Sequence, residues 1–181
     1  MSKRARCKVL VLLLLVCLIW GGLSSCRDAT PSFLAYREQG FSAEIRGTLN
    51  QIEIDAKVTV APRQDGYEAS VEYLGGGGLD GVSVSARCNG AGEPIGKAEV
   101  RLSGKSLSAD AGEVYGLLLP ATAWLMPTAH ERVRKNDDGY LLHFPTDILL
   151  QLDDSLSPRR LQRTDADFWI VWLEKSENTS K

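Results

Sequence analysis

Phe41-Ser-Ala-Glu-Ile-Arg-Gly-Thr-Leu49 and Ile52-Glu-Ile-Asp-Ala-Lys-Val-Thr-Val60 flank the pair Asn50-Gln51. In the first run Phe41, Ala43, Ile45 and Leu49 alternate with Ser42, Glu44, Arg46 and Thr48. In the second, Ile52, Ile54, Ala56, Val58 and Val60 alternate with Glu53, Asp55, Lys57 and Thr59. A period of two places all apolar side chains on one side of an extended chain. Asn50-Gln51 is a tight-turn signal, so the stretch predicts a hairpin of two strands, each apolar on one face only. Ile45, Leu49, Ile54 and Val58 should face the interior, and Glu44, Arg46 and Lys57 the solvent.

The same period extends on the C-terminal side. Ala61 to Gly66 is a turn, and Tyr67, Ala69, Val71 and Tyr73 share the next apolar face. Half-buried antiparallel strands in succession make a meander. Gly75 to Gly78 is a four-glycine tract, read as a flexible hairpin turn rather than a phosphate cradle. Val82 to Cys88 and Gly96 to Leu102 are the next strands, adding Val84 and Val100 to the apolar face. Between them, Asn89 to Lys97 imitates a phosphate loop and fails the pattern, because Ala91 stands where the first glycine belongs and Ala98 follows Lys97. Gly104 to Gly112 is polar and small, and reads as a loop.

Val114 to Met126 is the most apolar stretch beyond residue 26, bounded by Pro127 and interrupted by Pro120. It does not alternate and is too short to span a bilayer. It predicts a helical segment, kinked or restarted at Pro120, with apolar residues nearly all round. Such a segment must be covered on most faces. Leu117, Leu118, Leu119, Trp124, Leu125 and Met126 are expected to lie across the apolar sheet face as a plug. Thr128 to Lys135 is ambiguous. Short strands follow at 140–144 and 148–152, Arg159 to Arg163 reads as a polar edge strand, 167–174 closes the sheet, and a frayed tail ends the chain. Trp169 and Trp172 cannot share a face of a regular strand, so one of them should face solvent, membrane or a ligand. A short helix over 33–39, stopped by Gly40, precedes the first strand.

The N-terminus has a separate character. Lys3, Arg4, Arg6 and Lys8 precede an apolar run from Val9 to Trp20, Gly21-Gly22 breaks it, and Leu23-Ser-Ser-Cys26 closes it. The run has the length of a signal-peptide core and is short for a membrane span. Leu23, Ser24, Ser25 and Cys26 resemble the lipobox of bacterial lipoproteins. The resemblance implies cleavage before Cys26 and a diacylglyceryl thioether on its sulfur. Residues 1–25 are then the signal peptide, 26–32 a lipidated tether, 33–175 a single domain and 176–181 the tail. The domain is expected on the extracytoplasmic side, on the outer leaflet of the cell membrane or on an outer membrane. Arg27 in place of aspartate after Cys26 permits outer-membrane delivery in an enteric-type sorting system.

Cleavage would remove four of the 21 basic residues and none of the 23 acidic ones, leaving 17 against 23. A mildly acidic surface argues against nucleic acid as a partner, which needs a basic footprint. It also argues against docking on anionic lipid by charge, so the lipid on Cys26 must carry the anchoring. Cys88 is the cysteine left after the leader and the lipidated Cys26, and it reads as a small residue at a strand end. His130 and His143 are the histidines, and neither belongs to a nucleophile-elbow pattern, so no catalytic residue is assigned. Asp137-Asp138 and Asp153-Asp154 lack the alternating spacing of a calcium loop and read as turns. No metal and no cofactor is expected. Asn178-Thr-Ser matches an N-glycosylation pattern that a bacterial leader leaves idle.

The order of elements, with the lipobox and the Phe41 to Leu49 opening, looks like the lipoprotein-localisation-factor family. That resemblance implies an α+β fold, mostly antiparallel: an open half-barrel with helices plugging its concave face. It also implies non-covalent binding of an acyl chain or another lipophilic ligand, for which Ile45, Ile54, Val58, Val71, Leu118, Trp124 and Leu125 are the candidate residues. The alternative is a structural or protein-binding surface lipoprotein with a filled core. The protein partner is unknown from sequence.

Overall fold

The computed structural model describes residues 33–126, 132–145 and 147–175. Cys26, the leader, the tether, His130 and the tail lie outside the described residues. The first helix, α1 (Ala35–Gln39), leads into strands β1 (Phe41–Leu49), β2 (Ile52–Arg63), β3 (Gly66–Gly75), β4 (Ser83–Cys88), β5 (Pro94–Leu102) and β6 (Lys105–Asp110). Helix α2 (Tyr115–Thr122) follows, and then β7 (Arg132–Asn136), β8 (Gly139–His143), β9 (Leu149–Leu152), β10 (Pro158–Arg163) and β11 (Ala166–Lys175). The eleven strands of the described residues form one sheet in the order β6-β5-β4-β3-β2-β1-β11-β10-β9-β8-β7, and every pair is antiparallel.

This corrects the expected fold class. Over the described residues the molecule is largely all-β, with two helices of only five and eight residues, rather than α+β with helices as a plugging layer. The reason lies in the mid-chain segment. Its helix ends at Thr122, where the amides of Leu125 and Met126 turn back onto the Thr122 carbonyl, and Pro120 within it donates no backbone bond. So short a helix has no stability apart from the sheet beneath it. Gly104 to Gly112 is a second correction: most of it is β6. Ser103 and Gly104, at φ 51° and 78°, form a two-residue hairpin turn that pairs Leu102 with Lys105.

The β1–β2 hairpin forms as the alternation predicts. Asn50 and Gln51 both take positive φ, as a primed two-residue turn requires, and Leu49 pairs with Ile52. Ile45, Leu49, Ile54, Val58, Val71 and Val84 are buried, Val100 is partly buried, and Glu44, Arg46 and Lys57 are exposed. Cross-strand rows on the buried face are graded in size. Phe41, Val60, Ala69, Ala86, Ala98 and Ala109 make one row across β1 to β6. The small alanines leave a trough, and α2 packs over β2 to β5 and fills it. The β7 edge carries exposed Arg132, Arg134 and Lys135, charges that oppose pairing with a further strand.

Candidate functional site

The seven residues proposed from sequence as ligand-binding come together in the interior. Ile45, Val58, Leu118, Trp124 and Leu125 have 0% exposure, Val71 1% and Ile54 4%. A side chain bordering a void wide enough for a methylene group would keep accessible surface there, and these keep almost none.

The segment that covers them is also held by polar contacts. The Tyr36 hydroxyl donates to the Trp124 carbonyl at 2.9 Å, and the Tyr73 hydroxyl donates to the Leu117 carbonyl at 2.9 Å. Burial raises both phenols, Tyr73 to about 12, so each stays a neutral donor. Tyr36 stands edge-on to Phe41, and Phe41 edge-on to Trp124, with centroids 5.9 and 6.4 Å apart. Gly92 presses its backbone on Leu125, where an added Cβ would come within 2.6 Å of the leucine Cβ. At the far end the Arg163 guanidinium reaches the Met126 sulfur at 3.3 Å. Two buried polar atoms of the same segment, Thr122 Oγ1 and Trp124 Nε1, have no hydrogen-bond partner. Each unpaired buried group costs about 1–3 kcal/mol.

The other sequence candidates fall apart as chemistry. His143 is exposed at the end of β8. Asp153 organises its own turn: Oδ1 accepts from the Ser155 and Ser157 amides at 2.9 Å, and Oδ2 accepts from Arg159. Burial alone would raise its carboxyl, but these hydrogen bonds and the arginine hold it below the ordinary value. Among the described residues no group of three histidine, cysteine, aspartate or glutamate side chains is placed to hold a metal ion. Gly76 to Gly78 all take positive φ, and a Cβ on Gly76 would meet the Glu53 carbonyl oxygen at 2.2 Å, so the tract is needed to turn the chain closely past β2. Cys88 is buried at the end of β4, and burial pushes its thiol up to about 11. It should therefore react with a disulfide reagent at pH 8 far more slowly in the folded protein than in denaturant; equal rates would show the site to be open.

A second surface was foreseen only in part. Glu44 pairs with Trp172 and Ile45 with Ile170, so Val171 is an extra residue bulged out of β11. The bulge resets the alternation, and Trp169 and Trp172 emerge on the same outer face, opposite Arg46 and Glu44. Trp169, Val171 and Trp172 are 46%, 53% and 47% exposed. Arg160 lies 4.0 Å over the Trp169 ring and holds Asp167 through two bonds of 2.8 and 2.6 Å. Arg46 is paired with Asp55 at 3.0 Å. The result is an aromatic platform flanked by two ion pairs and by Glu44. The Trp169-x-x-Trp172 spacing signalled only that one ring must point outward, because a bulge is a property of the pairing with β1.

No protein-family model matches the chain, and no curated protein does. Among solved structures, it is similar to a crystal structure of an uncharacterized conserved protein from Thermus thermophilus. The TM-score is 0.50 at 15% identity, over 84% of this chain and 90% of that one. A likeness at that identity bears on the fold alone.

Proposed function

We propose that this chain is a non-catalytic bacterial lipoprotein, held by lipid on Cys26 at the extracytoplasmic side of a membrane, whose domain acts through its surface around a filled core. The observation that supports a filled core is the closure of the seven interior residues. Lifting the 115–126 segment would expose Leu118, Leu119, Trp124 and Leu125, at about 1.5–3 kcal/mol each, and would break two tyrosine hydrogen bonds worth about 1 kcal/mol each. Opening therefore costs on the order of 10 kcal/mol.

Carriage of an acyl chain is the second reading, and kinship with the lipoprotein-localisation factors belongs to it. Thr122 Oγ1 and Trp124 Nε1 favour it, since an ester carbonyl or carboxylate brought in with an acyl chain would pair them. Burying about fourteen methylenes at roughly 0.8 kcal/mol each would offset the opening cost.

A fluorescence titration separates the two. With Trp169 and Trp172 replaced by phenylalanine, Trp124 is the reporter left in the cleaved chain. A filled core predicts no saturable change with palmitate or phosphatidylcholine. A saturable shift, reached at lower lipid in Tyr36→Phe because one tie on Trp124 is gone, would replace this reading with carriage.

A further inference from the structure

Three apolar side chains at half exposure on an outer sheet face call for an explanation, because Trp169 and Trp172 reach it only through the β11 bulge. We propose that Trp169, Val171 and Trp172 form a second membrane contact, seated in the interfacial layer of the membrane that carries the anchor. The proposal rests on the lipid-anchor reading of Cys26.

Size argues against a protein partner. Three side chains at about half exposure offer roughly 300 Å² of surface, against about 800 Å² per partner in a stable interface. Chemistry argues for the interfacial layer, where indole rings with one apolar and one polar end concentrate. Charge narrows the lipid. Arg46 is paired with Asp55 and Arg160 with Asp167, and Glu44 stands opposite Trp172, so nothing on the platform favours anionic headgroups. A zwitterionic surface fits.

Chain length brings the two contacts together. Cys26 is seven residues before Phe33, and a chain of that length spans at most about 25 Å. The chain enters at the end of the sheet where Phe41 pairs with Lys175, and Phe33 packs on Tyr140 at the same end, 5.4 Å between ring centroids. Trp172 is three residues from that end of β11, about 10 Å along the strand. A tether this short raises the effective concentration of the surface to the millimolar range, so a weak platform suffices to orient the domain.

The test uses the mature protein extracted from membranes and placed in unilamellar phosphatidylcholine vesicles, with and without bromine on the acyl chains. Intact mass reports the lipid on Cys26 independently. Bromolipid should quench the emission, the quenching should survive high salt, and Trp169→Ala/Trp172→Ala should lose it. Val171→Glu, which keeps both indoles, should weaken it several-fold, with an unchanged urea midpoint showing that the domain is folded. Absence of quenching in the lipidated protein overturns the platform and leaves the anchor standing. Quenching that persists in the double variant also overturns it, as does a dimer in sedimentation that the double variant abolishes. If the mass shows no lipid, the anchor reading fails. The full-length chain carrying Cys26→Ala and Trp20→Phe, at millimolar phosphatidylcholine, then decides the platform alone: quenching lost in the double variant supports it, and no quenching rejects it.

Discussion

Trp124→Ala should be among the most destabilising single substitutions in the domain, at about 3–5 kcal/mol. The side chain is fully buried, its ring meets Phe41 edge-on, and its backbone carbonyl receives the Tyr36 hydroxyl. Deleting it removes apolar burial and leaves a cavity under a segment whose eight-residue helix cannot collapse far, since Tyr73 holds it at Leu117 and Gly92 stops it at Leu125. A domain of ordinary stability, about 5–15 kcal/mol, would lose a third or more of it. Guanidinium unfolding should show a lower midpoint with an unchanged slope. Trp124→Phe is the contrasting case. It discards an indole N–H that has no partner, so part of the lost volume is offset, and the cost should stay below about 1.5 kcal/mol. Equal losses for the two variants would mean that the indole N–H is paired after all.

Gly47→Val should be the second large effect, by a different route. A Cβ at position 47 would stand 1.8 Å from the Asp167 carbonyl oxygen and 3.0 Å from the Phe168 Cα. Both are backbone atoms of β11, so no side chain can move aside. Gly47 pairs with Phe168, and the β1–β11 ladder joins the six-strand wing β1–β6 to the five-strand wing β7–β11. Prising that ladder apart should cost at least about 3 kcal/mol, the upper end for overpacking. Hydrogen exchange should speed up first in β1 and β11. Thr48→Val, one residue on and partly exposed, should stay within about 0.5 kcal/mol. A Gly47→Val protein as stable as the parent would show that the two wings do not depend on this ladder.

The candidate sites were legible to different degrees. The interior residues could be named from sequence because each belongs to a run whose apolar positions recur every second residue, from Ile45 through Val71, or to the one apolar stretch without alternation, Leu118 to Leu125. What could not be named was the state of that interior. Closure depends on Tyr36 and Tyr73 reaching across 88 and 44 residues to two carbonyls, and on Gly92 standing against Leu125. The outer platform was half legible: two tryptophans three residues apart demanded an exposed ring, and the bulge at Val171 exposed both.

Strands β1 to β5, their inward faces and the tight turn at Asn50-Gln51 were determined by the sequence alone. Alternation, turn chemistry and the burial of apolar side chains act over neighbouring residues, and every element from β1 to β5 carries its own signal. Only the tertiary structure decided that β11 pairs with β1, that Val171 bulges, that Lys105–Asp110 is a strand, and that the apolar mid-chain segment is a short wall of core instead of a helical layer. A strand's partner is chosen by backbone hydrogen bonds offered equally by every free edge. The choice falls to whichever pairing buries the most surface across the whole chain, and no stretch of neighbouring residues carries that information.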